Sequence, residues 1–330
     1  MLIKKLTDAC GLPGHEKEVR ELIKKEIAGF VDEITTDRLG NLIAVKNKDS
    51  GGHRLALCAH MDEVGLCIRS IDKDGYLKFD TWGVDARVLY SKAVLVGGEK
   101  IPGVIGAAPI HLLPPDQRTA AVKAERLYID IGAKNKEEAE RFVSPGDFAA
   151  FYGEYAEFGD NKIKAKALDD RAGCAAVIEV LKSGTKNRLT AVFSAQEEVG
   201  LRGAAAAANR IDAELAIVIE GTVCADTEED GARTVTTQGL GPAISLLDRT
   251  TVYLRKYADT MIECAEKNNI PYQLRRAGVG GTDAGRIHLA GGGVPVIGVA
   301  VPCRYIHSPV SVMDRRDYEN LILLVKEYVK

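Results

Sequence analysis

"SAQEEVGLRG", residues 194–203, sets Glu197 and Glu198 side by side just after the apolar run "RLTAVF" and follows them with glycines. Other polar residues occupy comparable places. His60 and Asp62 follow "RLALCA", Glu220 follows "ELAIVI", and His307 lies in the loop after "VPVIGVAVP". Asp169 and Asp170 in "ALDDRAG" stand at the start of a helical pattern. In open α/β sheets, reactive groups lie just beyond the carboxyl ends of strands. Two imidazoles and several carboxylates therefore converge on one sheet edge. Each alone has a plainer reading: Asp169 or Asp170 as a helix cap, His60 as a satisfied core histidine, Glu220 as a solvated strand end. Their coincidence at four strand ends outweighs those readings.

Buried carboxylates without cations are costly, and only Arg171 and Arg202 stand nearby in sequence. Metal ions would remove that cost. Nitrogen and oxygen donors without thiolate suit zinc, cobalt or manganese. Two imidazoles with three or four carboxylates exceed one tetrahedral ion but fit two ions sharing a carboxylate, about 3.5–4 Å apart. Asp62, two residues after His60, could accept the other ring N–H and orient the imidazole. Adjacent strand residues point to opposite sides, so Glu197 and Glu198 should divide their roles. One would bind metal and the other would act on the attacking water. His15, His53, His111 and His288 have no clustered partners, and Cys58 and Cys303 read as core or pocket lining. "GVGGTDAGR" could offer backbone N–H groups to a substrate, although a glycine-rich turn is its simpler reading. No GxSxG elbow, P-loop or GxGxxG after a strand is present.

The elements that must position these groups alternate. "HEKEVRELIKKEIAGF" carries Val19, Leu22, Ile23 and Ile27 on one helical face, and "RLALCAH" reads as a strand buried on both faces. After Ala167, helix "DRAGCAAVIEVLKSG", strand "RLTAVFSA", helix "GAAAAANRI" and strand "ELAIVIEG" follow in turn. A long helix "YLRKYADTMIECAEKNN", a buried strand "VPVIGVAVP" and a closing amphipathic helix "DRRDYENLILLVKEYVK" complete the chain. This rhythm predicts an α/β fold, a mainly parallel mixed sheet covered by helices. Residues 65–159 differ, with short strands separated by Asp-Gly, Gly-Gly and Gly-Asp turns. They are expected to form an inserted, small β-barrel-like domain that splits the catalytic domain into residues 1–64 and 160–330.

With 330 residues, 46% of them hydrophobic, the chain can bury an ample core in one large or two smaller domains. A formal charge of -3 with both signs interspersed leaves no basic stripe for nucleic acid. The seven cysteines form no CxxC pair and sit in apolar runs such as "LALCAH" and "GCAAVIEV". Without a signal-peptide core or a bilayer-length apolar stretch, no membrane association is expected, and the expected compartment is the cytoplasm.

With "AHMDEVG", "KALDDRAGC", "SAQEEVGLRGA", "GGTDAG" and "RYIHSPVS" in that order, the whole chain resembles the tetrahedral (TET) dinuclear metallo-aminopeptidases. These are also named glutamyl, leucyl or deblocking aminopeptidases, and sometimes endoglucanase or cellulase M. The resemblance implies a zinc-peptidase-like fold and removal of N-terminal residues from peptides through a water bridging two metal ions. It implies that His60 and Glu220 hold one ion, Glu198 and His307 the other, with Asp169 bridging and Glu197 as general base. It also implies that the inserted domain mediates dimerisation and assembly, with dimers joined into a tetrahedral dodecamer. Glu220 stands where many relatives carry aspartate. That departure favours, as the alternative, a carboxypeptidase- or deacylase-type amidohydrolase on the same centre. An endoglucanase is the third reading, but carboxylates flanking a glycosidic bond need no histidines.

Overall fold

The computed structural model describes residues 1–115, 118–227, 234–276 and 280–330. Helices α1 (Leu2–Asp8) and α2 (Lys17–Ile27) precede strands β1 (Glu33–Thr36), β2 (Leu42–Lys46) and β3 (Arg54–His60). Along α2, Val19, Ile23 and Ile27 are buried at four-residue intervals, the apolar face its spacing predicts. The chain then makes β4 (Gly65–Ile71), β5 (Leu77–Trp82), β6 (Ala93–Val96), β7 (Ile101–Gly106) and β8 (Tyr128–Asp130). A short α3 (Lys136–Ala139) leads to β9 (Phe148–Phe151), β10 (Ala156–Phe158), β11 (Lys162–Ala165) and the buried helix α4 (Leu168–Leu181).

The remaining elements alternate. They are β12 (Arg188–Ser194), α5 (Arg202–Ala207), β13 (Leu215–Val223), β14 (Ala243–Ser245) and α6 (Arg255–Lys267). They end with β15 (Gln273–Arg275), α7 (Ala284–Ile287), β16 (Val296–Arg304), β17 (Ser311–Asp314) and α8 (Arg315–Tyr328).

One sheet of 11 strands runs β1-β2-β12-β3-β13-β16-β17-β11-β10, with β14 pairing β16 and β15. Its centre, β12, β3, β13 and β16, is parallel. The flanking pairs are antiparallel. Alternation along the strands divides the core between two faces. Leu55, Leu57 and Ala59 of β3 pack with residues of α2, α4 and α8, whereas Ala56 and Cys58 pack with residues of α5 and α7. The architecture is therefore α/β, a mixed sheet with a parallel centre covered on both faces, together with a separate barrel.

That barrel closes β4-β5-β8-β7-β6-β9 around Leu66, Leu77, Phe79, Ile105, Ile129 and Phe151. The chain packs as two units: residues 1–63, 155–306 and 310–330 form the α/β unit, and residues 64–154 with 307–309 form the barrel unit. The sequence reading carried the inserted segment to residue 159, but β10 pairs with β11 in the large sheet. The cause is local. Gly159 and Asn161 take positive φ, closing a tight hairpin that ties β10 to the strand after it. Among the described residues, no helix is long and apolar enough to cross a membrane.

Candidate metal centre

The parallel register sets the site. Ser194, the last residue of β12, pairs with His60, the last of β3, so both strands release their chains at the same edge. Glu220 emerges on the neighbouring β13. His60 is buried, and its Nδ1 stands 3.1 Å from the carbonyl oxygen of Asp62. That contact leaves Nε2 facing the acids, 3.5 Å from Asp169 Oδ1 and 3.5 Å from Glu220 Oε2. In a tetrahedral site with bonds of about 2.0–2.1 Å, neighbouring donor atoms stand roughly 3.3 Å apart, so this spacing suits a shared cation.

Two donor groups meet on His60. One joins it to Asp169 and Glu198, the other to Asp170 and Glu220, with the donor atoms of each group within 4.8 Å of one another. Asp169 and Asp170 open α4 with non-helical backbone, and the peptide between them is cis. Asp170 is fully buried and anchors backbone: Oδ2 accepts from the N–H of His60, and Oδ1 from that of Gly173. Asp169 Oδ1 accepts from the N–H of Gly221, next to Glu220.

The electrostatics call for cations. Burial, with the surrounding carboxylates adding to it, pushes Glu197, Glu198 and Glu220 well above the usual carboxylate range. Burial opposes protonation of His60, but Asp169 and Asp62, with Glu197 and Glu220, outweigh it and raise its pKa well above the ordinary histidine value. The donor chemistry and the crowding of acids both fit divalent metal.

Two details differ from the sequence reading. Glu197 and Glu198 do not alternate along a strand, because β12 ends at Ser194 and both lie in the turn that follows. The carboxylate of Asp62 arranges them instead. Oδ1 accepts from the N–H of Glu197 at 2.9 Å and Oδ2 from that of Glu198 at 3.0 Å. With both oxygens so engaged, Asp62 Oδ1 stands 3.6 Å from His60 Nδ1, too far for a good hydrogen bond. The nearer partner of the imidazole is the backbone carbonyl of Asp62. The glycines after the glutamates also have a cause. A Cβ on Gly203 would meet the carbonyl oxygen of Ala195 at 2.1 Å and Asn41 Oδ1 at 2.4 Å, so only glycine lets α5 start this close to β12.

His307 belongs to the segment 307–309 that packs with the barrel unit, where its Nδ1 stands 2.9 Å from the carbonyl oxygen of Gly83. Among the described residues, neither donor group includes it.

Sequence reasoning missed the support behind the site. Arg171 is fully buried and donates to the carbonyls of Met61, Leu6, Ala9 and Gly11 and to Glu63. Lys166 grips both oxygens of Glu63 at 2.7 Å and the carbonyl of Ala9 at 2.8 Å. These cations flank Asp169 and Asp170 in sequence, so the triad ties that pair to the Met61–Glu63 segment after His60. Glu16 accepts from the N–H of Gln196 and steadies the turn from the other side. The sequence places Arg171 near the acids, but nothing local points to Glu63 and four backbone carbonyls as its partners.

The chain also resembles known proteins along its whole length. The family model described as M42 glutamyl aminopeptidase matches residues 40–324. The lysyl aminopeptidase of Pyrococcus furiosus is 32% identical over 98% of this chain and 95% of its own length. The crystal structure of a TET aminopeptidase from a marine-sediment Thaumarchaeota archaeon superposes with a TM-score of 0.94 at 35% identity, covering 100% of this chain and 96% of that one. The TET1 peptidase of Pyrococcus horikoshii, which can assemble into a tetrahedron or a large octahedral shell, gives a TM-score of 0.89 at 35% identity over 99% of this chain and 98% of that one. The buried acids around His60 thus stand in a chain that belongs to the M42 glutamyl aminopeptidase family, metallo-hydrolases of peptide bonds.

Proposed function

We propose that this protein removes N-terminal residues from peptides with two divalent ions, zinc, cobalt or manganese. His60 and Glu220 would hold one ion, Glu198 and His307 the other, with Asp169 shared. The observation that supports this reading is the gathering of Asp169, Glu198 and Glu220 around His60, with its Nε2 3.5 Å from both Asp169 Oδ1 and Glu220 Oε2. For His307 the support is the resemblance in "RYIHSPVS". When bound, the ions supply Lewis-acid polarisation of the scissile carbonyl and a more acidic water.

The chain's own residues do the rest. Glu197, next in sequence to the proposed ligand Glu198, would take a proton from the attacking water and return it to the leaving amine. Asp62 holds the backbone of Glu197 and Glu198, so the base and its neighbour keep a fixed separation. Asp170 fixes the backbone of His60, and the carbonyl of Asp62 keeps Nε2 turned toward the acids.

The barrel unit is assigned to assembly, as dimers joined into a dodecamer. Tyr90, Val104, Ile110, Leu112, Phe142 and Tyr152 expose apolar surface there, and the related P. horikoshii peptidase assembles into a tetrahedron. The free cysteines suit the cytoplasm.

The test uses protein stripped by a chelator and reloaded with zinc, cobalt or manganese, assayed on aminoacyl anilides and N-acyl amino acids. Activity should vanish on stripping, return with at least one metal, and act on the anilides with a free amine. Full turnover by metal-free protein would end the metal reading. Turnover of N-acyl amino acids alone would move the function to the carboxypeptidase- or deacylase-type alternative.

A further inference from the structure

The glycine-framed segment around "GGTDAG" has no role in the account so far, and the N–H groups of Asp283, Ala284 and Gly285 have partners within the chain. The N–H of Asp283 points to Glu220 Oε1 at 3.4 Å, that of Ala284 to Thr282 Oγ1 at 3.3 Å, and that of Gly285 to the carbonyl of Thr282 at 2.9 Å. The glycines serve close packing. A Cβ on Gly281 would meet Thr250 Cγ2 at 2.5 Å, and one on Gly285 would meet Thr250 Oγ1 at 2.5 Å. Thr250 is itself fixed, because its N–H and its hydroxyl both donate to Asp248. The turn is therefore pressed onto a rigid base.

Asp283 sits on that turn with no exposed surface. Its Oδ2 accepts from the hydroxyl of Ser194, the residue that ends β12 before the Glu197–Glu198 turn. Its Oδ1 is buried with no hydrogen-bond partner. A carboxylate this enclosed, held by one hydroxyl, is costly unless the position requires an acceptor there. Through its backbone it faces one oxygen of Glu220, and the other oxygen of Glu220 faces His60. We propose that Asp283 is a positioning residue for the metal centre: anchored by its carboxylate to Ser194, it holds its own N–H against Glu220 and so sets where that ligand stands relative to β12. This rests on Glu220 being a ligand, as proposed above.

Cobalt titration of stripped protein, followed by visible absorption and equilibrium dialysis, tests it. The variants are Asp283→Ala, Asp283→Asn and Ser194→Ala, with Glu220→Gln as reference. Asp283→Ala should weaken one of the two cobalt equivalents by about 10–100-fold, the scale for outer-shell partners of metal ligands, and leave the other unchanged. Ser194→Ala should weaken the same equivalent, because the carboxylate loses its donor. Asp283→Asn keeps an acceptor for Ser194 and should restore affinity to within about threefold of wild type. A merely structural role would lower both equivalents together and show no such rescue. If Glu220→Gln loses one equivalent while Asp283→Ala and Ser194→Ala bind like wild type, the positioning role is wrong and the ligand assignment stands. If Glu220→Gln retains both equivalents, the ligand assignment fails first. Should Asp283→Ala not fold, Ser194→Ala decides the matter alone, and unchanged affinity in it would overturn the proposal.

Discussion

The barrel and the α/β unit bury different things. Among the described residues, no polar or charged side chain is buried between residues 64 and 154, where Leu66, Phe79, Ile105, Ile129 and Phe151 fill the interior. The α/β unit buries His60, Asp62, Glu63, Lys166, Asp170, Arg171, Glu220 and Asp283. An apolar interior answers only to packing and transfer free energy. A buried acid is justified either by an internal cation or by a task, and this unit contains both cases. Glu63 has Lys166 and Arg171. The acids around His60 are instead pushed well above the usual carboxylate range by burial and by one another.

The largest expected effect lies at the acids around His60. Glu197→Gln keeps its shape but cannot take a proton, so kcat should fall at least ~10²–10⁴-fold while metal content stays at the wild-type level. Glu198→Gln should instead bind one ion more weakly and recover in part with added metal. Metal titrations and steady-state kinetics on both proteins separate the two, and the reverse pattern would exchange their roles.

The paired side should break as stability. Arg171→Met leaves four carbonyls and Glu63 without a guanidinium, and denaturant unfolding should show a loss of about 3–5 kcal/mol. If that variant unfolds like the wild type, the triad is not what secures the Met61–Glu63 segment. The barrel should break by packing alone. Ile129→Ala should cost about 2–5 kcal/mol through its cavity, read by denaturant unfolding. Unchanged stability would show that Ile129 does not sit in a tightly packed interior.

The smallest effect is a pH dependence. Burial opposes ionisation of Asp226, but Arg304 and the N–H of Gln238 outweigh it and hold its pKa at about 2. Against an unfolded value of about 3.9, this pair contributes stability that is fully present above pH ~4 and lost as pH falls toward 2. Asp226→Asn should remove about 1–2 kcal/mol at neutral pH and flatten the acid limb of the stability curve. An unaltered acid limb would show that other carboxylates govern it.

Much of this protein can be read along its chain. Apolar runs of strand length ending in His60, in "SAQEE" and in "IVIEG" mark parallel strands and their chemical ends, because burial on both faces removes polar residues from everything except the tip. The helix period in "KEVRELIKKEI" likewise reflects one buried face. Partnership is another matter. That Asp62 would hold the N–H groups of Glu197 and Glu198, 135 and 136 residues away, follows from β12 lying beside β3. That Glu63 would meet Lys166 and Arg171 follows from α4 packing beneath β3, and that Asp283 would meet Ser194 follows from where the turn after β15 lands. A residue's neighbours in sequence record its burial and its period. Its hydrogen-bond partner depends on which distant backbone the closed core brings within 3 Å, and the local pattern carries no trace of that.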